Sequence, residues 1–165
     1  MENIILSHNE IQHKIRRIAY QIYESNVDEK KIIIAGIDGG GLKFAVKIQK
    51  ILEEITDAEI VLCKVSMDKK DPLSSGVTTS LTEEEYKNES VVLVDDVLNS
   101  GSTLIYGVHH FLKTPLKRLK TAVLVNRNHK RYPVKADFKG ISLSTSLQEH
   151  VNVVFKSRQD SVYLN

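Results

Sequence analysis

The sequence lacks the features that mark secreted and membrane-spanning proteins. Its 165 residues include a single cysteine, Cys63, so no disulfide can form within the chain, and a reducing compartment is expected. There is no run of about 18 apolar residues, and the apolar run in "MENIILSH" is too short for the core of a signal peptide. We therefore predict a cytoplasmic protein without a membrane partner. Cys63 lies in "EIVLCKV" and is predicted to be a small core residue.

An excess of charge of one sign is also missing. The 23 lysines and arginines and the 21 acidic residues leave a net charge of +2, which does not by itself indicate a nucleic-acid binder. Any basic binding site must therefore be local. The chain has no internal repeat, no low-complexity tract and no dividing linker, and its length suits one core of ordinary size. We predict a single domain over residues 1–165.

Hydrophobic spacing predicts alternating strands and helices. Ser7 and Glu10 have the spacing of a capping box, and isoleucines then recur every three or four residues. The β-branched run over 32–34 is typical of a buried strand. This alternation predicts an α/β fold with a mainly parallel central sheet and helices on both faces. We predict helices over 8–25, 42–55 and 103–112, and strands over 32–34, 59–66, from 91, over 120–126, near 140–143 and over 151–155.

Residues 67–90 show no sustained periodicity. The segment contains Pro72, Gly76 and seven Ser or Thr residues, although "TEEEY" could form a short helical turn. Structureless segments of this length within a compact domain are usually lids, binding loops or disordered regions. We expect a flexible loop that closes over an active site.

The stretch "VVLVDDVLNSGSTL", residues 91–104, joins an apolar strand to two carboxylates and a turn of small residues. In open α/β sheets, ligands bind where the carboxyl ends of strands meet the following loops. Backbone N–H groups and hydroxyls at Ser100 to Thr103 suit a phosphate. Asp95 and Asp96 would repel a phosphate, but they can accept hydrogen bonds from sugar hydroxyls or hold Mg²⁺ through water. A ribose 5-phosphate fits this combination.

Other phosphate-binding motifs fit less well. A Walker A loop requires a lysine that "NSGST" lacks, and the "GIDGGG" turn over 36–41 does not have the glycine spacing of a dinucleotide fingerprint. In a phospho-accepting signalling domain the acid pair would follow the first strand, not the third. A polar strand end that caps the next helix would explain Ser102 or Thr103, but not two carboxylates followed by a glycine turn.

The stretch over 91–104 resembles the phosphoribosyl pyrophosphate signature of the type I phosphoribosyltransferases. "IIIAGIDGGGLKFAVKIQKILEEI" and "TAVLVNRNHKRYPVKADFKGISLSTS" are most similar to the pyrimidine-operon attenuation regulators that also act as uracil phosphoribosyltransferases. The resemblance implies the type I phosphoribosyltransferase fold with a small hood. It also implies transfer of the phosphoribosyl group to a nucleobase, and uracil is the expected acceptor. Two alternatives to an enzyme remain open. One is an RNA-binding attenuator whose nucleotide site mainly senses nucleotides, and the other is a protein that binds the phosphoribosyl ligand without turning it over.

The resemblance also implies roles for individual residues. Asp95 and Asp96 would contact the ribose hydroxyls and favour a cationic ring, while Lys69 or Lys70 would favour the departing pyrophosphate; an exposed, solvated pair is the alternative for these lysines. Mg²⁺ is the implied cofactor, held by the substrate and, through water, by the two aspartates. The 5-phosphate would bind at Asn99, Ser100, Gly101, Ser102 and Thr103, and the pyrophosphate at Asp38, Gly39, Gly40 and Gly41.

The acceptor base and the partners are less tightly specified. Family members that use hypoxanthine or guanine typically have an aspartate where this chain has Asn99, and an asparagine cannot act as a general base. Val125 and Arg127 are expected to border the base pocket. A homodimer or larger homo-oligomer is expected from the family.

The residues that match the RNA-binding surface of the regulators are Arg16, Arg17, His129, Lys130 and Lys135. For Arg16 and Arg17 the alternative interpretation is a solvated helix face.

Overall fold

The apolar runs of the sequence assemble into two sheets. The computed structural model describes residues 3–165. Its elements, in chain order, are β1 Asn3–Leu6, α1 His8–Glu24, β2 Lys31–Ile37, α2 Gly40–Ile55, β3 Glu59–Ser66, α3 Pro72–Ser75, β4 Thr78–Thr79, α4 Glu83–Tyr86, β5 Ser90–Leu98, α5 Ser102–Phe111, β6 Arg118–Arg127, β7 Phe138–Leu143, β8 Val151–Val154 and β9 Ser161–Leu164.

The larger sheet has six strands in the order β4-β3-β2-β5-β6-β7, and every neighbouring pair except β3 with β4 is parallel. Because successive side chains of a strand point to opposite faces, Ile32 and Ile34 pack toward α1 and α2, whereas Ile33 packs on the side of α5. Both faces of the sheet are therefore buried under helices. The predicted α/β architecture is confirmed.

The predicted elements agree with the structure to within a few residues at most ends. The Ser7–Glu10 capping box is present, with Ser7 N–H donating to Glu10 Oε2 at 2.8 Å. The strand predicted over 59–66 has those bounds. Helix α2 begins two residues earlier than predicted, at Gly40, because the end of the glycine turn already forms its first turn. Cys63 is fully buried, as predicted, and its burial raises the pKa of the thiol.

The segment over 67–90 is more ordered than its sequence suggested. Strand β4 pairs antiparallel with the end of β3, and the predicted helical turn in "TEEEY" is present as α4. Tyr86 is buried against Phe111, with ring centroids 5.1 Å apart. The second half of the segment is thus packed onto the core, and the part that precedes β4 carries Lys69. The predicted domain also includes Met1 and Glu2, which lie outside the described residues.

A second sheet forms the hood, which we define as β1, β9 and β8. Its three strands are antiparallel, and Asn3 pairs with Leu164, so the two ends of the described chain meet there. The sequence pattern missed β1 and β9 because each has four residues and lies at the end of the chain. Short strands of this kind depend on their partners, which local periodicity does not show.

A buried carboxylate fastens the hood to α1 and α2. Asp160, which is 2% exposed, accepts hydrogen bonds from Gln12 Nε2 at 2.7 Å and from the backbone N–H of Lys156 at 3.0 Å. Lys47 Nζ, on α2, lies 3.2 Å from Asp160 Oδ2. One side chain therefore joins three elements. Within residues 3–165, no helix has the length and apolar character needed to cross a membrane.

We expect Asp160→Ala to lower the free energy of unfolding by about 3 kcal/mol, because it removes a buried carboxylate and leaves its donors without partners. Urea denaturation followed by circular dichroism measures the change. Asp28→Ala, at an exposed aspartate, is the matched control and should stay within about 0.5 kcal/mol of the parent chain. Equal unfolding midpoints for the two variants would contradict this role of Asp160.

Candidate active site

Two turns singled out in the sequence meet at the carboxyl ends of β2 and β5. These strands are parallel neighbours in the middle of the sheet, and Gly36 of β2 pairs with Val94 of β5. After β2 the chain crosses one face to β3, and after β5 it crosses the other face to β6. This change of direction is the position at which open α/β sheets bind ligands.

The glycine turn packs directly against the acid pair. A Cβ atom at Gly40 would overlap the Asp96 carboxylate, and one at Gly41 would lie 2.8 Å from the Val94 carbonyl oxygen and 2.9 Å from Asp95 Oδ1. Gly39 has a φ of 97°, in the region that favours glycine. The absence of side chains in this turn is therefore a requirement of close approach.

The two carboxylates line different spaces. Asp95 borders a cavity of about 50 Å³ next to the turn that begins at Asn99. Asp96 borders a cleft of about 360 Å³ between α2 and the hood, lined also by Gly40, Lys43 and residues 153–156. Adjacent strand residues point to opposite faces, which explains the division.

Asp95 has few partners for its charge. It is 6% exposed, and its Oδ1 accepts a hydrogen bond from the backbone N–H of Asp96 at 2.9 Å. Burial raises the pKa of Asp95 to about 8, the neighbouring charge of Asp96 adds to the increase, and Lys69 opposes it. A ligand that brings hydroxyl donors or a cation would favour the ionised form.

The predicted phosphate turn surrounds the cavity beside Asp95. Gly101 has a φ of 87° immediately before α5, and a Cβ there would lie 2.6 Å from Val134. The Ser102 backbone N–H donates to Ser100 Oγ at 3.2 Å. All five residues predicted to hold the 5-phosphate line this one cavity: Asn99, Ser100, Gly101, Ser102 and Thr103.

The two candidate lysines are placed differently. Lys69 Nζ lies 3.6 Å from where a Cβ of Gly39 would be, so its charge is beside the glycine turn. Both residues are exposed, and the backbone N–H of Lys70 donates to Asp68 Oδ1. Asp38, at the start of the turn, accepts a hydrogen bond from the Gly39 N–H at 3.0 Å and lies 3.8 Å from Lys64 Nζ.

The residues predicted to border the base pocket are both buried. Val125 is 0% exposed and belongs to the core on the α1 and α2 face, so its side chain lines no open space. Arg127 donates from Nη1 to Asn99 Oδ1 at 2.9 Å. The sequence reading missed the hood residues over 153–156 that face Asp96. Lys43 borders the same cleft, and its helical spacing with Lys47 and Lys50 is a sequence signal for a charged surface on α2.

The residues predicted to bind RNA do not form one cluster. Arg17, on α1, donates to the backbone carbonyls of Lys139 and Gly140 at 2.7 and 2.9 Å, and Arg16 lies 3.8 Å from Glu54. His129 Nε2 lies 2.6 Å from the Thr145 carbonyl oxygen, which is a hydrogen-bonding distance.

The segment that carries the other two RNA candidates lies on the opposite face of the sheet from α1. Val134 and Ala136 of this segment pack into the core on the α5 side. Lys130 is exposed, and Lys135 lies 3.9 Å from Asp137. The two groups of candidate residues are therefore separated by the sheet.

The donor set at the site fits a magnesium ion only in part. Within residues 3–165 there is no group of three or more His, Cys, Asp or Glu side chains able to hold a metal ion. Asp95 and Asp96 are two adjacent carboxylates, and Mg²⁺ commonly binds one or two carboxylates together with water and substrate phosphates. The residues present therefore fit an ion that the substrate brings.

Comparison with known proteins agrees with this geometry. Residues 2–158 match the family model described as the phosphoribosyl transferase domain. Two proteins from Streptococcus pneumoniae strains named bifunctional protein PyrR are each 33% identical over 154 residues, which cover 91% of this chain and 88% of theirs.

Solved structures share the fold at lower identity. The hypoxanthine phosphoribosyltransferase of Trypanosoma cruzi superposes with a TM-score of 0.77 at 18% identity, covering 98% of this chain and 95% of that one. A hypoxanthine-guanine phosphoribosyltransferase from Bacillus anthracis gives 0.71 at 20% identity, covering 86% and 82%. With the family match over nearly the whole sequence, the chain belongs to the phosphoribosyltransferase family and is a pentosyl-transferring enzyme.

Proposed function

We propose that this enzyme transfers the phosphoribosyl group of phosphoribosyl pyrophosphate to uracil and releases pyrophosphate. The observation that carries the proposal is the position of Asp95 and Asp96 between the phosphate turn and the glycine turn. A donor with a phosphate at one end and a pyrophosphate at the other would place its ribose hydroxyls on the acid pair. Uracil is proposed from the similarity to the PyrR proteins.

The chemistry of this transfer suits the charges of the site. When pyrophosphate leaves the anomeric carbon, the ribose becomes positively charged and the leaving group gains negative charge. Asp95 and Asp96 would favour the cationic ring, while Lys69 and the backbone N–H groups of the glycine turn would favour the anion. Binding both ends of the donor also holds the anomeric carbon in place for the acceptor.

Magnesium would be held by the substrate oxygens and, through water, by Asp95 and Asp96. The bound ion supplies positive charge to the departing pyrophosphate. Residues 67–77, the part of the loop that precedes β4 and carries Lys69, would act as a lid that closes over the donor and excludes water that would otherwise hydrolyse it. The reducing, cytoplasmic setting proposed from the composition suits the buried free thiol of Cys63.

A pyrimidine acceptor is proposed because the phosphate turn offers no general base. Asn99 is an amide, and its oxygen is already bound by Arg127 at 2.9 Å. An acceptor that needs a carboxylate to take up its proton at this position is therefore disfavoured.

A pyrophosphate-release assay with the phosphoribosyl donor and Mg²⁺ tests the proposal against uracil, orotate, hypoxanthine, guanine, adenine and xanthine. We expect release with uracil, and a loss of about a hundredfold or more when Asp95→Asn and Asp96→Asn are combined, because the cationic ring loses both charges. Full activity in the double variant would refute the roles of the acid pair. A preference for a purine would refute the acceptor only.

The two neighbouring lysines provide a matched pair. We expect Lys69→Ala to lower kcat about tenfold or more, because its charge lies beside the glycine turn, and Lys70→Ala to change kcat by less than about twofold. Steady-state kinetics at saturating donor measures both. Equal losses in the two variants would show that position on the lid, rather than contact with the turn, decides the effect.

RNA binding is a second candidate function, favoured by a basic groove. The groove is about 260 Å³ and is lined by Lys43, Lys47, Lys50 and Lys156, with Phe155 among them. Three of the lysines follow each other on one face of α2. Lys47 is neutralised by Asp160, whereas the other three form no salt bridge within the described part of the chain.

The phosphates of a nucleic acid suit this groove better than its bases do. The Phe155 ring is stacked on Phe44 at 6.2 Å and has Lys47 Nζ 5.6 Å from its centroid. Because the ring already contacts Phe44 and Lys47, we do not expect it to stack on a nucleic-acid base. Binding would depend on charge and would weaken steeply as salt increases.

Affinity for leader RNA of the pyrimidine operon, measured by fluorescence anisotropy at two salt concentrations, tests this candidate. We expect Lys50→Glu combined with Lys156→Glu to weaken binding about tenfold or more and to flatten its salt dependence. Arg16→Glu combined with Lys135→Glu is the matched control and should bind like the parent chain. A larger loss of affinity in the Arg16 and Lys135 variant than in the Lys50 and Lys156 variant would favour the surface predicted from the sequence. Absence of RNA binding at low salt would exclude RNA binding as a function.

A further inference from the structure

Arg127, at the carboxyl end of β6, is a buried cation whose hydrogen-bond partners are all uncharged, and, after hydrogen bonds from Ser146, its charge is one of the smaller causes that lower the pKa of the Glu149 carboxylate. The residue is 7% exposed. Its Nε and Nη2 atoms donate to Thr145 Oγ1 at 2.9 and 2.8 Å, and Nη2 also donates to the carbonyl oxygens of Ser146 and Glu149 at 3.3 and 2.8 Å. Its Nη1 atom donates to Asn99 Oδ1 at 2.9 Å. Within residues 3–165 it forms no salt bridge.

Hydrogen bonds to neutral oxygens only partly offset the burial of a guanidinium. The retention of such a group therefore indicates a task that an apolar residue at this position would not perform. The contacts show what it joins: the end of β6, the phosphate turn at Asn99, and the segment over 145–149 that leads into the hood.

The donor-only chemistry of arginine fixes the orientation of Asn99. A guanidinium has five N–H donors and no acceptor, so the atom of the Asn99 amide that faces Arg127 has to be the oxygen. The amide N–H₂ group is then turned away from Arg127. It makes no hydrogen bond within the described residues, and Asn99 lines the cavity of the phosphate turn.

We propose that Arg127 is a positioning residue for the phosphate site: it holds the Asn99 amide so that its N–H₂ donors face the 5-phosphate. This inference rests on the proposed function, which assigns a ribose 5-phosphate to that cavity. Without Arg127 the amide can rotate and present its oxygen to the phosphate, which repels it. A lysine retains the charge but has no rigid fork with which to hold Asn99 and the 145–149 segment together.

Arg118 supplies a matched control on the same strand. Its Nη1 atom donates to Asn26 Oδ1 at 3.0 Å, the same kind of bond as that between Arg127 and Asn99, but at the amino end of β6 and away from the phosphate turn. Arg118→Gln therefore reports on the loss of an arginine–asparagine bond outside the phosphate turn, together with an ion pair to Glu29 at 3.7 Å.

Isothermal titration calorimetry with ribose 5-phosphate tests the inference by a double-mutant cycle. We expect Asn99→Ala and Arg127→Gln each to raise the dissociation constant about tenfold. The double variant should raise it by about the same factor rather than by about a hundredfold, because both changes act on the same donor group, the Asn99 amide N–H₂. Arg118→Gln should bind as the parent chain does. Arg127→Lys should bind as weakly as Arg127→Gln.

Three results would overturn the inference: unchanged affinity in Arg127→Gln, additive effects in the double variant, or parental affinity in Arg127→Lys. If the Arg127 variants do not fold, Thr145→Val decides the question. It removes one acceptor of the guanidinium without touching Asn99, and it should raise the dissociation constant about threefold, whereas parental affinity would refute the inference. Failure of the parent chain to bind ribose 5-phosphate would overturn the proposed function as well.

Discussion

The contact between the Gly39–Gly41 turn and the acid pair at the end of β5 is the constraint on which the site depends. Parallel pairing of β2 with β5 brings the two strand ends together, and side chains at Gly40 or Gly41 would collide with Asp96, Asp95 or the Val94 carbonyl. The turn can therefore supply backbone N–H groups but no side-chain charge of its own. The positive charge beside the turn belongs to Lys69, whose Nζ lies 3.6 Å from where a Cβ of Gly39 would be.

The site buries two ionisable groups of opposite type without full compensation. Asp95 is buried with a pKa raised to about 8, and Arg127 is buried among neutral oxygens. Asp95 lines the cavity next to the turn that begins at Asn99, and Arg127 donates to Asn99 of that turn. A free chain that holds such groups is less stable than one with apolar residues there, and bound substrate would offset the difference.

Helix α2 contacts both the acid pair and the hood. Its first turn contacts the acid pair, its Lys43 borders the cleft beside Asp96, and its Lys47 reaches Asp160 in the hood. The hood strand β8 forms the opposite wall of that cleft. The position of the hood relative to the acid pair is therefore set by one helix and one buried carboxylate. The basic groove proposed for RNA opens from the same helix, so the two proposed functions would share a structural element.

The sequence alone determined the features that are written in short stretches. The capping box of α1, the bounds of β3 and the five turn residues around the cavity beside Asp95 follow from local spacing and local turn chemistry. The family was recognisable because its signature occupies 14 consecutive residues, 91–104, although the roles of individual residues remain predictions.

Only the tertiary structure decided which side chains meet. It separated Lys69 from Lys70, turned Val125 into the core, and divided the predicted RNA residues between the two faces of the sheet. It also brought Arg127 to Asn99, 28 residues away, and paired β1 with β9 across nearly the whole chain. The physical reason is that each of these positions depends on packing between elements that are distant in sequence. That packing fixes the register of the strands and the positions of the loops that join them.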